Sequence, residues 1–153
     1  MNDLNPRDSW FDLSVVSDPM VRDALGHLLT DWRMRKRWSD LTPAHRDLHR
    51  AILRAYLETG KPPSQADLPA PALADLSTRD LIVLDQGRIV GAYPLTSRPS
   101  RHRVNIAGRE IAAMCAIDAL GMGAMARRDA QVRSSCAHCD APVEIDDRHR
   151  AGD

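Results

Sequence analysis

Two β-branched runs, Leu81-Ile-Val-Leu84 and Arg88-Ile-Val-Gly-Ala-Tyr93, flank Asp85-Gln-Gly87. Runs of that kind around a Gly-containing turn specify a β-hairpin. The ribbon constrains everything before it, because the preceding residues read as helices. Ser17-Asp18-Pro19 combines a capping hydroxyl with an acidic residue and Pro in a first turn, and the apolar spacing of Met20, Ala24, Leu28 and Trp32 carries that helix to about Trp38. Its basic end, Arg33 to Arg37, complements the helix dipole and is expected to be a solvated terminus. Thr42-Pro43 opens a second helix with a face of Leu48, Ile52, Leu53, Tyr56 and Leu57, and Gly60 stops it. Ser64 caps a short helix, Pro69 and Pro71 interrupt it, and a further turn or two runs through Leu73 and Leu76. Helices followed by a two-stranded ribbon outline a winged-helix-like domain, so the expected fold class is α+β.

The remainder reads as a smaller second unit. Residues 1–16 form an arm bearing Trp10 and Phe11, residues 17–96 the winged-helix-like domain, and residues 97–153 a domain of one helix and short antiparallel strands. Within the last, Ser97 to His102 is a polar join, Val104-Asn-Ile106 a strand and Ala107-Gly108 a turn. Gln131 to Ser135 and Pro142 to Ile145 are strands joined by Cys136-Ala-His-Cys-Asp-Ala141.

Composition removes several function classes. The 21 basic and 21 acidic residues cancel, which argues against binding driven by bulk charge on nucleic acid. The segment that would read a DNA groove, residues 64–76, contains Asp67 and Asp75 but no Arg or Lys. No apolar run approaches the roughly 20 residues that span a bilayer, and the N-terminus lacks a signal-peptide pattern. The expected location is cytoplasmic, where the three Cys are reduced thiols.

Chemistry concentrates in Ile111-Ala-Ala-Met-Cys-Ala-Ile-Asp-Ala-Leu-Gly121. Read as a buried helix ended by Gly121 and Gly123, it places Cys115 and Asp118 on one face, one turn apart. A thiol beside a carboxyl group suits a soft nucleophile paired with a proton carrier. The plain alternative is a small buried hydrophobe. Cys136-x-x-Cys139 supplies half of a zinc site. His138 and His149 are the nearby candidates to complete it, and no second CxxC is present. Pro142 and the strand after it argue against a redox CxxC, which opens a helix.

The run Met114 to Leu120, the interval from Cys115 to Cys136, then Val132-Arg-Ser-Ser-Cys-Ala137 and Ala141-Pro-Val143, resembles the alkylmercury (organomercurial) lyase family. The resemblance implies a winged-helix-like N-terminal domain, Cys115 as the thiolate that takes the mercury of R–Hg⁺, Asp118 as proton donor to the leaving carbon, and Cys136 as a structural cysteine. The family's second catalytic cysteine lies on a segment beyond Asp153, so the resemblance implies a C-terminally shortened member. Three readings follow. The first is a non-catalytic or auxiliary subunit whose shortened domain is covered by another protein chain. The second is an organomercurial lyase or mercury-binding protein using Cys115, Asp118 and a second thiol, Cys136 or Cys139. The third is a winged-helix regulator. No cofactor is required on any of these; mercury or zinc is the soft metal expected at Cys115, Cys136 and Cys139.

Overall fold

The computed structural model describes residues 16–149; the aromatic pair Trp10 and Phe11 lies outside them. The chain divides at Leu41/Thr42 into two compact units.

The first unit holds α1 (Pro19–Thr30) and α2 (Trp32–Trp38). Asp18, not Ser17, caps α1: its carboxylate accepts from the N–H of Met20 at 2.8 Å and of Val21 at 3.2 Å. The single helix expected to Trp38 is broken at Asp31, which leaves helical geometry at ψ 125°. The Thr30 hydroxyl donates back to the carbonyls of Gly26 and His27, offering the backbone a local alternative to the helical ladder at that point. The apolar stripe is present but outward-facing, with Met20 82 % and Trp32 67 % exposed. Lys36 lies over the Trp32 ring, 6.0 Å from its centre. Arg37, expected at a solvated end, is buried.

The second unit is α+β. Thr42 caps α3 (Pro43–Thr59) and Gly60, left-handed at φ 75°, ends it, both as the sequence dictates. A short 3-10 helix (Gln65–Asp67) and α4 (Ala70–Thr78) follow. Seven strands then build one antiparallel sheet: β1 (Ile82–Asp85), β2 (Arg88–Ala92), β3 (Leu95–Thr96), β4 (Arg103–Ile106), β5 (Arg109–Ala113), β6 (Ala130–Ser135) and β7 (Pro142–Asp147), in the order β1-β2-β3-β5-β4-β6-β7. The expected hairpin is β1–β2, turning through Gln86 and Gly87, both at positive φ. It is not a free ribbon: β2 pairs onward with β3, and the sheet continues through residues 96–97, where the sequence placed a junction.

The larger departure is at residues 109–113. In place of the start of the Cys115 helix that the apolar run suggests, they form β5, hairpinned to β4 through Ala107 and Gly108. Ile111, Ala112 and Ala113 are all buried. Successive strand residues face opposite sides, so the sheet is covered on both faces there, and a doubly covered strand is apolar without alternation. α3 and α5 (Ala116–Ala126) are the helices that touch β5. Nor do Gly121 and Gly123 end α5, which runs on to Ala126. The core is aliphatic, with Ile52, Leu73, Leu76, Leu81, Leu95, Val104 and Met122 fully buried, as is Tyr56. His49 is buried among them; burial pushes its ionisation below the usual histidine range, against a hydrogen bond to the Leu81 backbone. Among the described residues no helix is long and apolar enough to cross a membrane.

Candidate active site

Cys115 stands where β5 gives way to α5. The end of β5 is fixed from outside its own ladder. Ala113 N–H donates to the His102 carbonyl and Met114 N–H to the Pro94 carbonyl, each at 3.0 Å. The Ser100 hydroxyl donates to the Ala113 carbonyl at 2.7 Å and accepts from His102 N–H at 3.1 Å. His102 in turn meets the Ser134 hydroxyl through Nδ1 at 2.8 Å. The polar join of the sequence reading is therefore a brace that holds the strand end in front of the cysteine. Met114 packs over β2 at Gly91, where a Cβ would lie 2.6 Å from Met114 Cε. It also lines a groove of about 260 Å³ with Val83, Val90, Thr96 and Ser100.

Cys115 is the N-cap of α5, in extended geometry, and not a residue of the helix interior. Its sulfur accepts from the N–H of Asp118 at 3.4 Å. Asp118, at the third helical position, is buried and its carboxylate lies against the thiol. The sulfur caps the helix N-terminus in the place a hydroxyl oxygen usually takes. Burial pushes the Cys115 thiol above its ordinary range, and the Asp118 carboxylate adds to that by hydrogen bond and by charge. The N–H groups of Asp118 and Ile117 act the other way, favouring the thiolate at a helix N-terminus. A thiol held protonated by a neighbouring carboxylate is a proton-sharing pair. Displacing the thiol proton with a soft cation leaves the acid beside whatever that cation carries.

Cys136 and Cys139 occupy the turn between β6 and β7. The register pairs Arg103 with Ala112 of β5 and with Arg133 of β6, so the Cys115 end of β5 and the Cys136 end of β6 open at one end of the sheet. β4 lies between, putting the two strands about 10 Å apart, two interstrand spacings. Three sulfurs were expected as one metal set. Among the described residues no group of three or more His, Cys, Asp or Glu side chains is placed to hold a metal ion. A larger cavity, about 360 Å³ and lined by Ala107, Asp129 and Asp147, lies at the opposite end of the sheet and touches none of these residues. The brace residues Ser100, His102 and Ser134 were not singled out as positioning groups. Only their clustering next to two strand ends distinguishes them from other surface polar residues.

Residues 95–151 match the model of the alkylmercury lyase family, MerB. An alkylmercury lyase of Staphylococcus epidermidis is 38% identical over 80 residues, which are 52% of this chain and 34% of that protein. The chain thus spans about one third of the length of the curated relative it matches. Among solved structures, the crystal structure of the mercury-bound form of MerB2 superposes with a TM-score of 0.66 at 22% identity, over 76% of this chain and 62% of that one. At that identity the likeness is one of fold. The matched segment contains β4 to β7, Cys115, Asp118 and both cysteines of the turn, and it is over this segment that the chain is similar to the alkylmercury lyase family.

Proposed function

We infer that this chain captures organomercurials at Cys115 and uses Asp118 to protonate the carbon that leaves. The observation that carries the reading is the buried Asp118 at the third position of α5, whose backbone N–H donates to the Cys115 sulfur at 3.4 Å and whose carboxyl group lies beside that thiol. Mercury is soft and prefers thiolate. When R–Hg⁺ meets the pair, a Hg–S bond forms and the thiol proton moves to the adjacent carboxylate. A thiolate from solution, its proton already lost to buffer, supplies a second sulfur donor and weakens the Hg–C bond. The carbon then takes the Hg–C electron pair and the Asp118 proton, leaving as R–H, and Hg(II) stays on sulfur. Mercury is the substrate here, and the mercury-bound relative of the same fold is consistent with that role. The test is intact-mass measurement after exposure to phenylmercuric acetate in excess monothiol. In a C136S/C139S background one mercury adduct, phenylmercury or the Hg(II) left by cleavage, is expected and is absent when C115S is added; an adduct that persists unchanged on adding C115S refutes the reading.

A second reading, an auxiliary subunit working with another protein chain, is favoured by a different observation. Ile117, Leu120 and Met125 on α5, with Val143 and Ile145 on β7, are large apolar side chains left 38–50 % exposed on neighbouring elements. Surfaces of that kind mark protein interfaces. Light scattering of the purified chain, alone and with candidate partners, tests it: a complex that L120K abolishes supports it, and monomers throughout count against it.

A further inference from the structure

Cys136 and Cys139 are the two sulfurs that the chemistry above leaves unused. They stand at either end of a closed turn. Cys136 N–H donates to the Ala141 carbonyl at 2.9 Å, and Asp140 N–H donates to the Cys136 carbonyl at 3.0 Å. Asp140 adopts a left-handed φ of 54°, which returns the chain into β7. Inside the turn the N–H groups of His138 and Cys139 point at the Cys136 sulfur, and the Cys139 thiol hydrogen-bonds to it. Arg101 faces the pair and adds positive charge. Cys136 is partly exposed and Cys139 exposed, so ions and thiols reach both.

Two sulfurs in one closed turn, with amide donors and a cation facing Cys136, form a preorganised thiol pair. The donor set also selects the ion. Zinc in a structural site wants four ligands. Among the described residues no third or fourth His, Cys, Asp or Glu joins these two. A soft ion satisfied by two thiolates fits the turn, and a four-coordinate one does not.

We propose that the Cys136–Cys139 turn is a two-thiolate chelate for Hg(II), separate from Cys115 and placed at the same end of the sheet to receive the inorganic ion left by C–Hg cleavage. The proposal rests on the mercurial reading for the choice of ion. Transfer is thiol exchange with no change of oxidation state. The ion held between Cys115 and a solution thiol forms Hg–S bonds to Cys136 and Cys139 and breaks its two earlier ones. The two protons released by the turn go to Cys115 and to the departing solution thiol. The strands carrying donor and acceptor are about 10 Å apart, so modest motion or a solution-thiol shuttle suffices.

The experiment is retention of HgCl2 by the full chain after desalting in glutathione at about 1 mM, a concentration that competes with any loosely tethered thiol pair but not with a preorganised one. C115S is expected to keep one Hg(II) per chain. Adding C139S, a change at an exposed residue, is expected to lower retention to near zero, with circular dichroism confirming the fold. Loss of retention in C115S alone, or retention unchanged by C139S in that background, overturns the chelate. Neither result touches the phenylmercury adduct at Cys115, so failure here and failure of the mercurial reading are separately visible.

Discussion

At the scale of single residues, the pairing of Cys115 with Asp118 makes a prediction that does not depend on mercury. Burial raises the thiol first, and the carboxylate raises it further. Neutralising the carboxylate therefore lets the thiol ionise at lower pH. D118N retains the backbone N–H that the sulfur accepts. It is expected to alkylate faster than wild type with iodoacetamide near pH 7.5, with the midpoint of the rate–pH profile moved to lower pH. In wild type the rate should still be climbing above the ordinary thiol range of about 8.5. A profile unmoved or shifted upward in D118N means the carboxyl group does not act on the sulfur. Under the proposed mercurial reading the same substitution also removes the proton donor, so faster thiol reactivity and slower C–Hg cleavage should appear together. A merely structural aspartate predicts no such opposition.

At the scale of elements, α5 contains two glycines in opposite circumstances. Gly121 has no atom within 4 Å of where a Cβ would be. G121A is expected to stabilise the chain by about 0.5–1 kcal/mol through helix propensity alone. At Gly123 a Cβ would run into the Asp147 carboxylate and lie 3.1 Å from Ala130 Cβ. G123A is therefore expected to destabilise by about 1 kcal/mol despite the same propensity gain, because the Asp147 carboxylate can swing aside but the Ala130 Cβ at the start of β6 must give. Thermal melts of the two variants check this, and equal shifts of the same sign would contradict the packing described. The two glycines also show why the sequence was legible in some places and not in others. Cap grammar located α3 to within a residue, because Thr42-Pro43 and Gly60 act locally. The β1–β2 and β6–β7 hairpins were legible from β-branched runs and turns. Residues 111–113 were not, since an apolar run buried on both sheet faces has no periodicity to separate strand from helix. Gly123 reads as a stop because its real reason, close approach to β6 and β7, is invisible along the chain, and Gly121 reads as one although it lies in open space within the helix. The Cys115–Asp118 pairing survived the wrong element boundary. A spacing of three brings an N-cap and its third helical residue together as surely as two residues of a helix interior.

At the scale of the whole second unit, the sheet gathers sequence-distant chemistry at one end. The brace at Ser100 and His102, the cap at Cys115 and the thiol turn at Cys136–Cys139 meet there, on strands whose order is not the order of the sequence. The winged-helix regulator loses its main support, because the ribbon that suggested it is part of that sheet. The outward apolar side of α5 leaves room for a partner, without altering the chemistry assigned to the helix's first turn. The account stands on Cys115 and Asp118 acting as one unit, and headspace detection of benzene released from phenylmercuric acetate in excess monothiol measures that most directly. Wild type should release benzene, C115S should release none above buffer, and D118N should form the phenylmercury adduct yet release benzene at least about 100-fold more slowly. Benzene release by D118N at the wild-type rate would contradict the account.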